Sequence, residues 1–168
     1  FVVNVSSPNT AGLRDLLSEK ELKVFLESLF NGLESSECDK VFLLKLSPDM
    51  DPQTLLMALE VSEPYVDGWI LTNTTKQRYA ASPFPGEQGG VSGAPLRELS
   101  GQALALAAEY KRQHLDKLLV SVGGIGDEAE VLRRLDLGAD LVQCYSSLVF
   151  EGPFFFEKTL KGLRKIKA

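Results

Sequence analysis

Histidine and cysteine are almost absent from this sequence. His114 is the single imidazole among 168 residues, and Cys38 and Cys144 are the only thiols. With one histidine no Ser-His-Asp triad can be assembled. His114 sits at the polar end of a helical stretch, beside Gln113 and near Asp116 and Lys117, and reads as a surface residue. The cysteines lack metal-ligand spacing, and no cluster of His, Cys, Asp and Glu supplies it, which argues against a zinc site. Two such thiols fit a reducing compartment rather than a disulfide scaffold, and Cys144, within an apolar run, reads as core. A basic surplus is missing too: the net charge is −5, and no basic patch points to nucleic acid. No apolar run is long enough to span a bilayer as a helix. There is no signal peptide and no initiating Met, and residue 1 reads as the inside of a strand. The expectation is therefore a fragment whose amino-terminal part is missing.

What is present is a strict alternation of short apolar runs and amphipathic stretches, in a length that suits one domain burying roughly 70% of its unfolded surface. Phe1, Val2 and Val3 read as a buried strand that stops in Asn4-Val5-Ser6-Ser7-Pro8-Asn9-Thr10, since Pro8 cannot continue a central strand. Ser18 and Glu21 form a Ser-x-x-Glu capping box before a helix that carries Leu22, Phe25, Leu26, Leu29 and Phe30 at helical spacing. Residues 41–46 form a second strand. Asp51 and Pro52 open the next helix, with Leu55, Leu56 and Leu59 inward. Residues 68–71 and 118–122 are further strands, and 141–144 is the fifth. Helices are expected over 96–113, after Asp127, and after Pro153, the last with Phe156, Leu160, Leu163 and Ile166 on one face. Residues 76–95, rich in Gly, Pro and Ser, read as a lid or binding loop. Strand–helix alternation with near-continuous apolar strands implies a parallel sheet covered by helices. An open doubly wound sheet and part of a (β/α)8 barrel both fit, and in both the ligand binds at the carboxyl ends of the strands.

The unusual residues cluster at those ends. Lys45 lies inside Phe42-Leu43-Leu44-Lys45-Leu46. It either faces solvent from an edge strand or is a cation at the barrel mouth that needs an anionic partner, because an isolated buried ammonium is costly. Gly123 and Gly124, followed by Ile125-Gly126-Asp127, have the form of a strand–glycine–helix phosphate cradle, with Tyr145 and Ser146 available from the next strand. The alternative is a simple turn. Gly89-Gly90-Val91-Ser92-Gly93 suits either close approach of backbone to a ligand or a hinge. The basic residues Lys158, Lys161, Arg164, Lys165 and Lys167 read as a solvated helix face, with a membrane-surface role secondary.

Taken together these motifs resemble those of class 2 dihydroorotate dehydrogenases. The resemblance rests on the stretch from Asn4 through Ala11-Gly12-Leu13-Arg14, on Lys45-Leu46-Ser47-Pro48-Asp49, on Thr72-Asn73-Thr74-Thr75, on Gly89-Gly90-Val91-Ser92-Gly93-Ala94-Pro95-Leu96, on Val122-Gly123-Gly124-Ile125, and on Gly138-Ala139-Asp140-Leu141-Val142-Gln143-Cys144-Tyr145-Ser146. It implies the second half of a single FMN-binding (β/α)8 TIM barrel, with residues 1–168 covering roughly strands 4–8 and their helices. It also implies oxidation of dihydroorotate to orotate in pyrimidine (UMP) biosynthesis, with electrons passing from FMN to a quinone. The matching enzymes associate with a membrane, the bacterial cytoplasmic or mitochondrial inner one, through an amino-terminal extension.

Carried over position by position, Ser7 resembles the catalytic base. Asn4 would contact both FMN and substrate, and Asn9, Asn73 and Thr74 the substrate. Lys45, Thr72, Gly93, Gly124, Tyr145 and Ser146 would bind the flavin, the last three near its phosphate. Serine at position 7 is what selects class 2, because class 1 enzymes carry cysteine there, an easier base. No histidine is available to activate Ser7, so Thr10 or a water is expected to relay its proton. The competing readings are a class 1-like FMN barrel with another electron acceptor and a truncated, non-catalytic half-barrel. The isolated chain is expected to be inactive, to bind FMN poorly and to expose sheet edges that favour aggregation.

Overall fold

A computed structural model describes residues 1–10, 12–33, 40–77 and 89–166. Cys38 and most of the expected lid lie outside the described residues. Five strands alternate with helices: β1 Val2–Asn4, α1 Glu19–Asn31, β2 Leu43–Leu46, α2 Pro52–Ser62, β3 Gly68–Leu71, α3 Arg97–Lys111, β4 Leu118–Val122, α4 Glu128–Asp136, β5 Leu141–Gln143, α5 Ser146–Glu151 and α6 Phe155–Ile166. Two 3-10 turns, Leu13–Leu17 and Ala94–Leu96, precede α1 and α3.

The sheet order is β1-β2-β3-β4-β5, and each neighbouring pair is parallel. That order decides between the two architectures left open by sequence pattern. A doubly wound sheet reverses its strand order and binds ligand at the reversal. Here each strand pairs with the next in sequence, as consecutive units of a (β/α)8 barrel do. Right-handed crossovers then put the helices that connect successive strands on one side of the sheet. The core lies beneath that layer. Leu22 and Leu26 of α1, Leu55, Ala58 and Leu59 of α2, and Ala103, Leu104 and Ala107 of α3 pack on Leu44, Leu46, Trp69, Leu71 and Leu119.

Local chemistry explains most helix starts. Asp51 accepts hydrogen bonds from the Gln53 and Thr54 amides at 3.0 Å each, and Pro52 occupies the first turn, where its missing N–H costs nothing. Asp127 accepts from the Glu130 amide at 2.8 Å. Ser18 is the N-cap of α1, but its side chain makes no capping bond. The 3-10 turn already orders that entry, since the Ser18 amide donates to the Asp15 carbonyl.

Other expectations need correction. Phe1 and Val2 are 72% and 51% exposed rather than buried, because β1 has a sheet neighbour on one side only. Leu56 is 37% exposed while Leu55 and Leu59 fill the core. In α6 the buried residues are Phe155 and Thr159. Phe156, Leu160 and Ile166 are exposed, because among the described residues this helix packs mainly against α4 and α5. The short helix α5 carries no apolar period long enough to read from sequence.

One buried polar contact ties the core together. The indole of Trp69 donates to Ser62 Oγ at 2.8 Å, and that hydroxyl donates to the Ala58 carbonyl at 2.6 Å. Ser62→Ala strands a buried N–H and is expected to cost about 1–3 kcal/mol, read as a lower urea midpoint with an unchanged m-value. Ser18→Ala, which removes no capping bond, should leave the midpoint in place.

Candidate functional site

The carboxyl ends of the strands carry two connected polar assemblies. The first joins β1, β2 and β3. Ser6 is fully buried, and its Oγ donates to the Lys45 carbonyl at 2.7 Å. Asn73 Nδ2 donates to Asn4 Oδ1 and to Ser6 Oγ, each at 3.1 Å, and Asn73 Oδ1 accepts from the Thr74 amide at 2.8 Å. Two asparagines distant in sequence are thus held side by side, oriented by a buried serine.

Arg14 and Asp49 lock this assembly. Arg14 donates from Nε to the Ser6 carbonyl at 3.1 Å, from Nη2 to the Thr74 carbonyl at 3.1 Å, and from Nη1 to Asp49 Oδ2 at 2.7 Å. Asp49 also accepts from the Thr75 hydroxyl and, at 2.8 Å, from the Lys76 amide. Burial opposes the Asp49 charge, but bonds from Thr75, the Lys76 amide and Arg14 outweigh it and hold the carboxyl below its ordinary value.

The second assembly is a cleft lined by Lys45, Thr72, Asn73 and Thr74 on one side and by Gly123, Gly124, Tyr145 and Ser146 on the other, with Ser92, Gly93, Leu96 and Cys144 between. Lys45 is half-buried there, and burial lowers its pKa from the ordinary lysine value. No carboxylate among the described residues pairs with it. An unpaired, partly desolvated ammonium in a cleft is what an anionic ligand would complete. Cys144 is a wall of this cleft rather than core, and burial raises its thiol pKa.

Glycine is required at two places by close approach. At Gly124 the backbone is left-handed (φ 74°), and a Cβ would lie 2.4 Å from Arg97 Cα. At Gly90 a Cβ would lie 1.9 Å from Thr74 Oγ1 and 2.8 Å from Pro8 Cγ. The loop after β3 therefore lies directly against the Pro8 and Thr74 segments, which favours close approach over a hinge. Thr75 and Val91 exchange antiparallel backbone bonds at 3.1 and 2.8 Å and pin it. Ser92 Oγ and Ser146 Oγ, 2.9 Å apart, join the same loop to the start of α5, while Ser147 Oγ donates to the Ile125 carbonyl at 2.6 Å.

Of the residues singled out by sequence, Lys45, Thr72, Gly93, Gly124, Tyr145, Ser146, Asn73 and Thr74 meet in the cleft. Asn4 reaches it through its bond with Asn73. Ser7 and Asn9 do not line it: Ser7 is half-buried, accepting from the Asn9 amide at 3.2 Å, and Asn9 is exposed on the adjoining loop. No hydrogen bond among the described residues joins Ser7 to Thr10. His114 is partly shielded, stacked on Tyr110 with centroids 4.5 Å apart and facing Glu63 at 3.7 Å. The residues that sequence reasoning passed over are Ser6, Arg14 and Asp49. All three lie inside the quoted motifs, but nothing in their spacing shows that they meet.

A sequential parallel sheet with its polar cleft at the strand carboxyl ends defines a barrel-type α/β ligand-binding protein. The family model for dihydroorotate dehydrogenase matches residues 1–166, and the chain belongs to that family. It is 39% identical to the dihydroorotate dehydrogenase (quinone) of Halobacterium salinarum over 165 residues, covering 96% of this chain and 45% of that protein. It is 41% identical to the enzyme of the same name from Natronomonas pharaonis, covering 99% and 46%. Crystal structures of DHODH from Eimeria tenella, one in complex with ferulenol and one ligand-free, superpose with a TM-score of 0.86 at 28% identity. Each superposition covers 98% of this chain and about half of the crystallised one. The chain thus spans about half the length of the curated relatives it matches.

The depressed Asp49 pKa carries a pH signature. Its folded pKa lies below the unfolded value of about 3.9, so its contribution is complete above that value and is lost as pH falls through the folded pKa. Unfolding midpoints measured across the acid range should fall less steeply for Asp49→Asn than for the parent, from a lower starting stability at neutral pH.

Proposed function

We propose that this chain forms the carboxyl-terminal half of the single barrel domain of a quinone-dependent dihydroorotate dehydrogenase and supplies much of its FMN and substrate site. The observation that carries the reading is the meeting of an unpaired Lys45 with a glycine cradle and paired asparagines in one cleft. The donor set fits the cofactor. The Gly123–Gly124 backbone and the Ser146 hydroxyl suit a phosphate, and the first-turn amides of α5 have no partner within their helix. A half-buried cation with Thr72 beside it suits the electron-rich edge of a heteroaromatic ring. When bound, FMN supplies a two-electron acceptor for the hydride of dihydroorotate.

The chain's own residues divide the remaining work. Gly93, Gly124, Tyr145 and Ser146 anchor the phosphate end. Lys45 and Thr72 hold the ring, and Lys45 offsets negative charge that develops near it. Asn4, Asn9, Asn73 and Thr74 orient the substrate, since each carboxamide offers both a donor and an acceptor to a substrate with amide groups of its own. Ser7 takes the C5 proton of the substrate and passes it outward through a water or Thr10. The Asn9 amide bond to Ser7 Oγ fits this role, because it occupies one lone pair and orients the other. Serine at position 7 supports quinone as the acceptor, and membrane association follows from that class.

In an active enzyme carrying these residues, Ser7→Ala is expected to slow flavin reduction roughly 100-fold or more, with little change in dihydroorotate affinity. Stopped-flow reduction followed at the flavin absorbance reads both. Equal reduction rates in variant and parent would remove Ser7 from the base role.

A further inference from the structure

Helix α4 inverts the usual amphipathic rule, because its buried residues are Glu130 and Arg134. Arg134 is fully buried. Its Nε donates to Glu130 Oε1 at 2.5 Å, its Nη1 to Ser121 Oγ at 3.2 Å, and its Nη2 to the carbonyls of Arg97 at 2.8 Å and Gly123 at 3.0 Å. Ser100 Oγ donates to the same Gly123 carbonyl at 2.8 Å. Arg97 continues the pattern one peptide further, donating from Nε to the Gly124 carbonyl at 3.0 Å. Glu130 holds the group together. Its carboxylate faces Arg97 at 3.7 Å, Arg133 at 2.7 Å and Arg134 at 2.5 Å.

A buried ion pair of this kind is weak evidence for stability, since well-packed apolar side chains often do as well. Its geometry indicates a different use. In a planar trans peptide the carbonyl and the following N–H point in opposite directions. With the Gly123 and Gly124 carbonyls held on guanidinium groups, the N–H groups of Gly124 and Ile125 are turned to the opposite side of the loop. Gly124 and Ile125 are also residues that line the cleft. The three guanidiniums face Glu130 and, at Arg133, also Glu98 of α3, so they outnumber their carboxylates and positive charge remains behind the loop.

We propose that Arg134 and Arg97, clamped by Glu130, are positioning residues for the phosphate cradle: they hold the Gly123 and Gly124 carbonyls so that backbone N–H groups face a phosphate, and they place cationic charge behind it. The inference rests on the reading of the cleft as an FMN site and adds residues that touch neither flavin ring nor substrate. It predicts selectivity for the phosphate rather than for the ring, so FMN and riboflavin are the discriminating pair.

Dissociation constants for FMN and riboflavin are measured on the flavin-free form of a full-length enzyme carrying these residues by quenching of flavin fluorescence, for the parent, Arg97→Gln, Arg97→Lys and Arg134→Met. Arg97 is 37% exposed at its side chain, so its replacement leaves the core intact. Losing one charge-assisted hydrogen bond is expected to weaken FMN binding about tenfold while riboflavin binding stays within about twofold, so the FMN preference falls. Arg97→Lys, which keeps the charge, recovers part of it. Arg134→Met shows the same selective loss, with its fold checked by circular dichroism; if it fails to fold, the Arg97 pair decides. Equal losses for FMN and riboflavin, or an unchanged preference in a folded variant, overturn the proposal. A full-length parent enzyme that holds FMN no better than riboflavin overturns instead the phosphate reading beneath it, and the inference falls with that reading.

Discussion

The Arg14 guanidinium reaches three strand ends at once, and the polar face of the sheet depends on it. It bonds to the carbonyl of Ser6 after β1, the carboxylate of Asp49 after β2 and the carbonyl of Thr74 after β3. Parallel strands end in unpaired backbone groups and in loops with little packing of their own. A planar cation with donors in a fixed fork can satisfy several such groups in one geometry, which a lysine cannot. Asp49 extends the same contact to Thr75 and the Lys76 amide, so the start of the long loop is fixed by the same pair. The side-by-side placement of Asn4 and Asn73 follows from this arrangement.

A second arginine, Arg134, plays a comparable part behind the Gly123 loop. Both guanidiniums bind carbonyl oxygens of strand-end loops, and both are held by a carboxylate. Lys45, in the cleft, has no such partner among the described residues. The contrast separates cations neutralised within the protein from a cleft cation that has no carboxylate among the described residues. Where charge is neutralised within the protein, it fixes loops; where it is not, it supports the proposed anion site.

The order of elements was legible from the chain because each signal is local. Asp51-Pro52 and Asp127 mark helix starts by chemistry confined to a few residues, and Gly68–Leu71 and Leu118–Val122 are apolar runs bounded by turn residues. The cleft residues were legible for a related reason: polar residues at the ends of parallel strands share one edge of the sheet whatever the packing details. What local pattern could not show was exposure. Val2, Phe156 and Leu160 are apolar and correctly spaced, yet exposed, because burial depends on which element lies opposite. Conversely Glu130 and Arg134, charged residues at i,i+4 spacing that drew no notice in the sequence, are buried.

By itself the sequence determined the alternation of strands and helices, the motifs of the dihydroorotate dehydrogenase family, and the identity of the groups available for chemistry, serine rather than cysteine at position 7 among them. These depend on residue type and short-range spacing. Tertiary structure alone decided that the strands pair in sequential order, that Cys144 faces the cleft, that Ser7 and Asn9 stand beside the cleft rather than in it, and that Arg14 and Arg134 bind the loops that follow the strands. Each of those depends on how separate strands and loops come together, and its geometry exists only once the sheet has formed.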